Sequence, residues 1–149
     1  MKRLPAAPMR ARALAWAPAL FTMAAIWMLS SSSAPGIPVH VLPFRDRGAH
    51  FLAYATLAFL VAHGVLAQRG PSETWIPRPR VWLFAVYTAV LWGLLDEVHQ
   101  SFVPGRSPDL IDLCADALGG SVGAFSRVIL SRRPSLTAPS HPSTASEAG

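Results

Sequence analysis

Four apolar stretches, separated by short polar segments rich in Pro and Gly, organise this chain. The first, ALAWAPALFTMAAIWML, runs 17 residues from Ala13 to Leu29, about the minimum for a helix that crosses a bilayer. The second, AHFLAYATLAFLVAHGVLA, runs 19 residues from Ala49 to Ala67. The third, VWLFAVYTAVLWGLL, covers only 15 residues from Val81 to Leu95, so its helix is predicted to continue through DEVHQSF to the membrane surface. The segment VPGRSP then breaks it, with Pro104 and Gly105 as a turn. Ser107 is predicted to cap a fourth helix that opens with Pro108 and runs from Asp109 to about Leu130. The pattern predicts an all-α fold, a four-transmembrane-helix bundle with short connections. Residues 1–12 form a basic N-terminus and 13–131 the membrane domain. Residues 132–149, RRPSLTAPSHPSTASEAG, lack an apolar face and are predicted to be a disordered cytoplasmic tail.

Composition sharpens this reading. The chain is 52% hydrophobic and 14% charged, whereas a soluble domain carries about 25% charge. The charges sit between the apolar runs, which is the membrane pattern. The basic start before the first run also describes a signal peptide, but further spans follow, so a retained span is expected. A net charge of +5 does not point to nucleic acid, because the Lys and Arg flank apolar segments and form no stripe. The single Cys114 excludes an internal disulfide or a Cys-based zinc site and is expected to be a small buried residue. Ten Lys and Arg fall on the two termini and the second connection, against three, Arg45, Arg47 and Arg106, on loops one and three. This asymmetry predicts cytoplasmic termini. Trp16, Trp75 and Trp82 are then interfacial anchors at the inner edge and Trp27 at the outer.

That topology gathers the carboxylates. Asp46, Asp96, Glu97, Asp109, Asp112 and Asp116 all fall on or just beneath one face, leaving only Glu73 and Glu147 at the other. Asp46, His50 and Tyr54 are spaced four apart and share a helix face if the second helix extends back to Asp46. His50 is either a polar residue at the membrane edge or the partner of a carboxylate on another helix; His63 and His99 are expected to be structural and peripheral. Asp96 and Glu97 oppose the dipole at their helix C-terminus and point about 100° apart, and Gln100 lies one turn beyond them. Asp109, Asp112 and Asp116 make one acidic stripe, with Asp116 about 10 Å deeper than Asp109. A carboxylate at that depth costs roughly 2.5–3.5 kcal/mol on insertion scales and should face a partner inside the bundle. Arg106 either bridges Asp96, Glu97 or Asp109 or presents its fork to a phosphate or carboxylate ligand. Ala115, Gly119 and Gly123 form a small-residue seam for close helix packing.

Two segments, RDRGAHFLAYATLAFL and DEVHQSFVPGRSPDLIDLCADALGG, together resemble the VanZ-like family of small bacterial membrane proteins. Asp46, His50, Tyr54, Glu97, Gln100, Phe102, Pro104, Arg106, Asp109, Asp112, Gly119 and Gly123 occupy the places of its pattern over about 44–125. Arg47 stands where that family carries Lys, and Asp116 where an amide is expected. The resemblance implies a multi-pass protein of a bacterial cytoplasmic membrane. The family's namesake is associated with resistance to the glycopeptide teicoplanin, which is not the default expectation here.

No HExxH, GxSxG or Walker motif is present, and the leading expectation is not an enzyme. The outer polar site would bind an envelope lipid or cell-wall precursor headgroup, or modulate a membrane protein partner. A second reading is an intramembrane hydrolase or transferase assisted by metal, since the carboxylates and His50 offer ligands for a divalent cation. A third is a structural bundle whose polar residues join helices.

Overall fold

The structure of the protein, a computed structural model, describes residues 8–32, 43–68 and 78–131, with the side chains of 43–46 outside that description. The described residues form helices and no strands: α1 (Met9–Leu14), α2 (Ala17–Ser30), α3 (Pro43–Ala67), α4 (Arg78–Gln100) and α5 (Leu110–Leu130). The side chain of Asp46, the Trp75 ring and the tail 132–149 lie outside the described residues.

Pro18 explains the break between α1 and α2. It has no N–H to give to Leu14, and its ring crowds that carbonyl. The chain turns tightly at Ala15 and Trp16, with Trp16 N–H donating to Ala13 at 3.1 Å, before α2 resumes. Together α1 and α2 make a 22-residue first span, Met9–Ser30, beside spans of 21, 23 and 21 residues at Arg47–Ala67, Arg78–Gln100 and Leu110–Leu130. At 1.5 Å per residue each exceeds the roughly 30 Å hydrocarbon core. The third helix does run on past Leu95, to Gln100, and α3 includes Asp46.

The fourth helix starts later than predicted. Its N-cap is Asp109, not Ser107: Asp109 is extended at φ −128°, and its Oδ1 accepts from Ile111 N–H at 2.8 Å. The Asp109 N–H is engaged by Glu97, as described below, which holds Asp109 outside the helical ladder. The turn before it depends on Gly105 at φ +83°, with Arg106 N–H donating to Val103 at 3.1 Å. Pro104 and Gly105 thus occupy the positions where a type II turn wants Pro and a residue of positive φ.

Small residues set the packing. On α3 the buried face is Tyr54, Leu57, Ala58, Val61 and Ala62; on α4 it is Val81, Ala85, Ala89 and Gly93. α5 fits against α3 through Gly119 and Gly123, where a Cβ would overlap the carbonyl oxygens of Phe51 and Ala55 respectively. Without water to drive apolar association, such close backbone approach is what holds membrane helices together. Ala115 continues the glycine row and is half-buried. Gly120 meets Ala89 of α4 and Ala58 of α3, joining the three helices in one layer. The first span leans on α3 and α4: the Trp16 ring fills the space over Gly64, and Arg12 exchanges hydrogen bonds with Gln68. Cys114 is exposed rather than buried, because it lies about 200° around α5 from the inward Asp116.

Candidate functional site

The buried face of α4 changes character at one end. After Val81, Ala85, Ala89 and Gly93, the same face continues as Asp96, Glu97 and Gln100, all buried. Asp116 of α5 is fully buried beside them, and Gly93 is what admits it: a Cβ on Gly93 would lie 2.6 Å from Asp116 Oδ2. His50, at the same end of α3, places Nδ1 3.0 Å from Asp116 Oδ1. Its ring runs nearly parallel to that of Tyr54, one turn deeper, with centroids 6.1 Å apart. One ligand atom each from His50, Glu97 and Asp116 lie within 4.8 Å of one another.

Adjacent Asp96 and Glu97 serve different neighbours. Asp96 Oδ2 accepts from Ser30 Oγ of α2 at 2.8 Å and from Gln100 Nε2 at 2.9 Å. Glu97 Oε2 accepts from the Asp109 backbone N–H at 2.8 Å, locking the end of α4 to the cap of α5. Four buried oxygens have no hydrogen-bond partner among the described residues: Asp96 Oδ1, Glu97 Oε1, Asp116 Oδ2 and Tyr54 Oη. Orphaned buried polar atoms are rare in folded proteins and call for an explanation.

A cleft of about 150 Å³ opens onto this cluster. Ile26, Leu29, Ala49 and Ala53, from α2 and α3, form its apolar wall, and His50, Tyr54, Asp96 and Gln100 its polar wall. Arg106 lines the cleft from the turn above, its guanidinium donating to the Ser32 carbonyl at 3.3 Å.

The VanZ/LLP1 family model matches residues 13–131, from within α1 to the end of α5. The chain belongs to the VanZ/LLP1 family. No curated protein and no solved structure matches it. Family and spans together make it a multi-pass membrane protein.

In this VanZ/LLP1 chain the sequence candidates divide into an inner and an outer set. His50, Tyr54, Asp96, Glu97, Gln100 and Asp116 meet at the cluster, with Arg106 at its mouth. Asp109 and Asp112 lie outside it, 3.7 and 4.0 Å from the Arg47 guanidinium. Arg106 forms no ion pair with Asp96, Glu97 or Asp109, contrary to the bridging expectation; Arg47 neutralises the outer stripe instead. Three contributors escaped sequence reading. Ser30 looked like the start of a polar loop, and Arg47 stood out only as a departure from the family pattern. Gly93, a lone glycine in an apolar run, carried the one usable signal, since such glycines mark close approach. His99 is peripheral to the cluster, stacked on Trp27 at 4.0 Å and 2.9 Å from Ser31 Oγ. His63 accepts from Arg127 at the far end, at 3.1 Å.

Proposed function

We propose that this VanZ/LLP1 chain binds the phosphate headgroup of an envelope lipid that reaches the site sideways from the bilayer. The observation that carries this reading is the two-faced cleft between α2 and α3. Ile26, Leu29, Ala49 and Ala53 offer an acyl or isoprenyl chain an apolar path, and His50, Tyr54, Asp96 and Gln100 offer its head a polar one. Arg106, which has no carboxylate partner among the described residues, presents a planar fork suited to phosphate at the level of the headgroups. The ten-to-three distribution of Lys and Arg supports an orientation with both termini in the cytoplasm and the cleft facing out. The Ser30–Asp96 and Arg12–Gln68 bonds support retention of the first span in the mature protein.

A purely structural bundle is the weaker reading. Polar groups that only join helices satisfy one another, because an unsatisfied buried group costs about 1–3 kcal/mol. Four orphaned oxygens, two of them on the cleft-lining Tyr54 and Asp96 and two on the adjoining Glu97 and Asp116, support a site that takes a ligand.

Thermal unfolding of the purified protein in detergent tests the proposal. Lipids of equal chain length are added, bearing phosphate headgroups (phosphatidylglycerol, an isoprenyl phosphate) or none (diacylglycerol). A phosphate lipid at 100 times its Kd should stabilise the wild type by about 2.7 kcal/mol. Arg106→Ala should abolish that gain, and Arg106→Lys should recover it in part. Equal stabilisation by diacylglycerol, or full stabilisation of Arg106→Ala, would overturn the reading.

A further inference from the structure

We propose that His50, Glu97 and Asp116 hold a divalent cation, and that this ion is the seat of the lipid phosphate. The second half rests on the headgroup reading above; the first half stands without it. The three ligands come from three helices, α3, α4 and α5, and converge to within 4.8 Å, with His50 also lining the cleft. Two independent features mark the place as a ligand site and not a mere gathering of acids. Glu97 Oε1 and Asp116 Oδ2 are buried and lack any partner among the described residues. In addition, Glu97 Oε2 is tied down by Asp109 N–H at 2.8 Å, so that this carboxylate is oriented with its second oxygen spare, while the 3.0 Å contact between His50 Nδ1 and Asp116 Oδ1 is the one that the ion would replace. Fixing one carboxylate oxygen while the other stays available is how outer interactions orient metal ligands.

Charge makes the same demand. Asp96, Glu97 and Asp116 surround the cluster, while Arg47 serves Asp109 and Asp112 outside it and Arg106 stands at the mouth. A phosphate brought in by Arg106 would meet carboxylates and be repelled. A divalent ion between Glu97 and Asp116 cancels their charge and presents the phosphate with a positive centre. Two ligands on one such ion lie about 3–3.5 Å apart, given bond lengths near 2.1 Å. The most distant pair therefore closes by up to roughly 1.5 Å on binding, within reach of small side-chain rotations. One imidazole and two carboxylates suit Zn²⁺ or Mn²⁺ better than Ca²⁺. Three protein ligands also leave a coordination position open, the pattern of a metal that receives a ligand and not of one that only braces a fold.

The test uses the full chain in detergent, stripped with a chelator and free of added lipid. Equilibrium dialysis against Mn²⁺, Zn²⁺, Mg²⁺ or Ca²⁺, read by elemental analysis, gives the stoichiometry, and electron paramagnetic resonance of the Mn²⁺ form reports its ligands. We expect one Mn²⁺ or Zn²⁺ per chain, with a nitrogen ligand that disappears in His50→Ala. The near-isosteric Glu97→Gln and Asp116→Asn should each weaken binding by at least about ten-fold, while Ser126→Ala, exposed toward the other end of α5, should leave it unchanged. Circular dichroism confirms that each variant is folded; if Asp116→Asn is not, Glu97→Gln decides. Absence of saturable binding by any of the four ions, or wild-type binding in both carboxylate variants, would overturn the metal centre. The two proposals fail separately. Metal binding without lipid stabilisation would remove the headgroup reading alone. Lipid stabilisation that survives chelation would remove the ion as the seat of the phosphate and leave the headgroup reading.

Discussion

Replacing Gly119 by alanine should loosen the bundle and open the site together. A Cβ at Gly119 falls inside the van der Waals envelope of the Phe51 carbonyl oxygen, which belongs to the rigid backbone of α3 and cannot swing away. For the overlap to relax to an ordinary separation, α5 must withdraw by roughly 1 Å. Phe51 is the neighbour of His50, and Gly119 is one turn from Asp116, so the same withdrawal stretches their 3.0 Å hydrogen bond beyond bonding range. Overpacking costs about 1–3 kcal/mol. Losing a hydrogen bond to a charged group adds about 1.5–3 kcal/mol, and alanine returns about 1 kcal/mol of helix propensity. The net expectation is a loss of roughly 2–5 kcal/mol. Gly48→Ala is the matched control: nothing lies within 4 Å of its Cβ position, so the propensity gain stands alone and the variant should be more stable by about 0.5–1 kcal/mol. Reversible unfolding in mixed micelles, titrated with SDS, measures both. If Gly119→Ala proves as stable as Gly48→Ala, the close α3–α5 approach is wrong, and with it the placement of His50 against Asp116.

Three further outcomes follow from the geometry. Asp109→Ala should destabilise the protein by about 0.5–2 kcal/mol through loss of the α5 cap, and Asp109→Asn should lose only a few tenths; SDS unfolding distinguishes them, and equal losses would point to the Arg47 contact instead. Arg47→Ala should cost less than about 1 kcal/mol by the same assay, because its exposed ion pairs with Asp109 are screened by solvent. Deleting residues 132–149, a segment without an apolar face, should leave membrane abundance and thermal stability unchanged in membrane fractions and melting curves, and a large loss of either would show that the segment docks.

The fold was legible because spans are dictated by length and apolarity, and the four runs satisfy both. Asp116 was legible for a related reason: a carboxylate so deep in a helix must be turned inward. Details decided by tertiary contact were not. Nothing local distinguishes Ser107 from Asp109 as the cap of α5; the choice follows from Glu97, twelve residues upstream, taking the Asp109 N–H. Likewise Arg106 and Arg47 are equivalent as charges in the sequence, and only the approach of α3 to the start of α5 gives the acidic stripe to Arg47. The glycine row announced close packing, but its partners, the carbonyls of Phe51 and Ala55, depend on helix rotation and register that periodicity does not encode. Cys114 was misplaced because an apolar neighbourhood in a membrane protein faces lipid as readily as core.

The central claim is that His50, at the start of α3, and Asp116, well into α5, meet across the bundle in one buried site. A double-mutant cycle of His50→Ala and Asp116→Asn on the free energy of unfolding tests that contact directly, since 66 residues separate the two in the chain. The account predicts a coupling of about 1–3 kcal/mol, the double variant losing less than the sum of the single ones. Additivity within about 0.5 kcal/mol would place the two side chains apart and contradict the site.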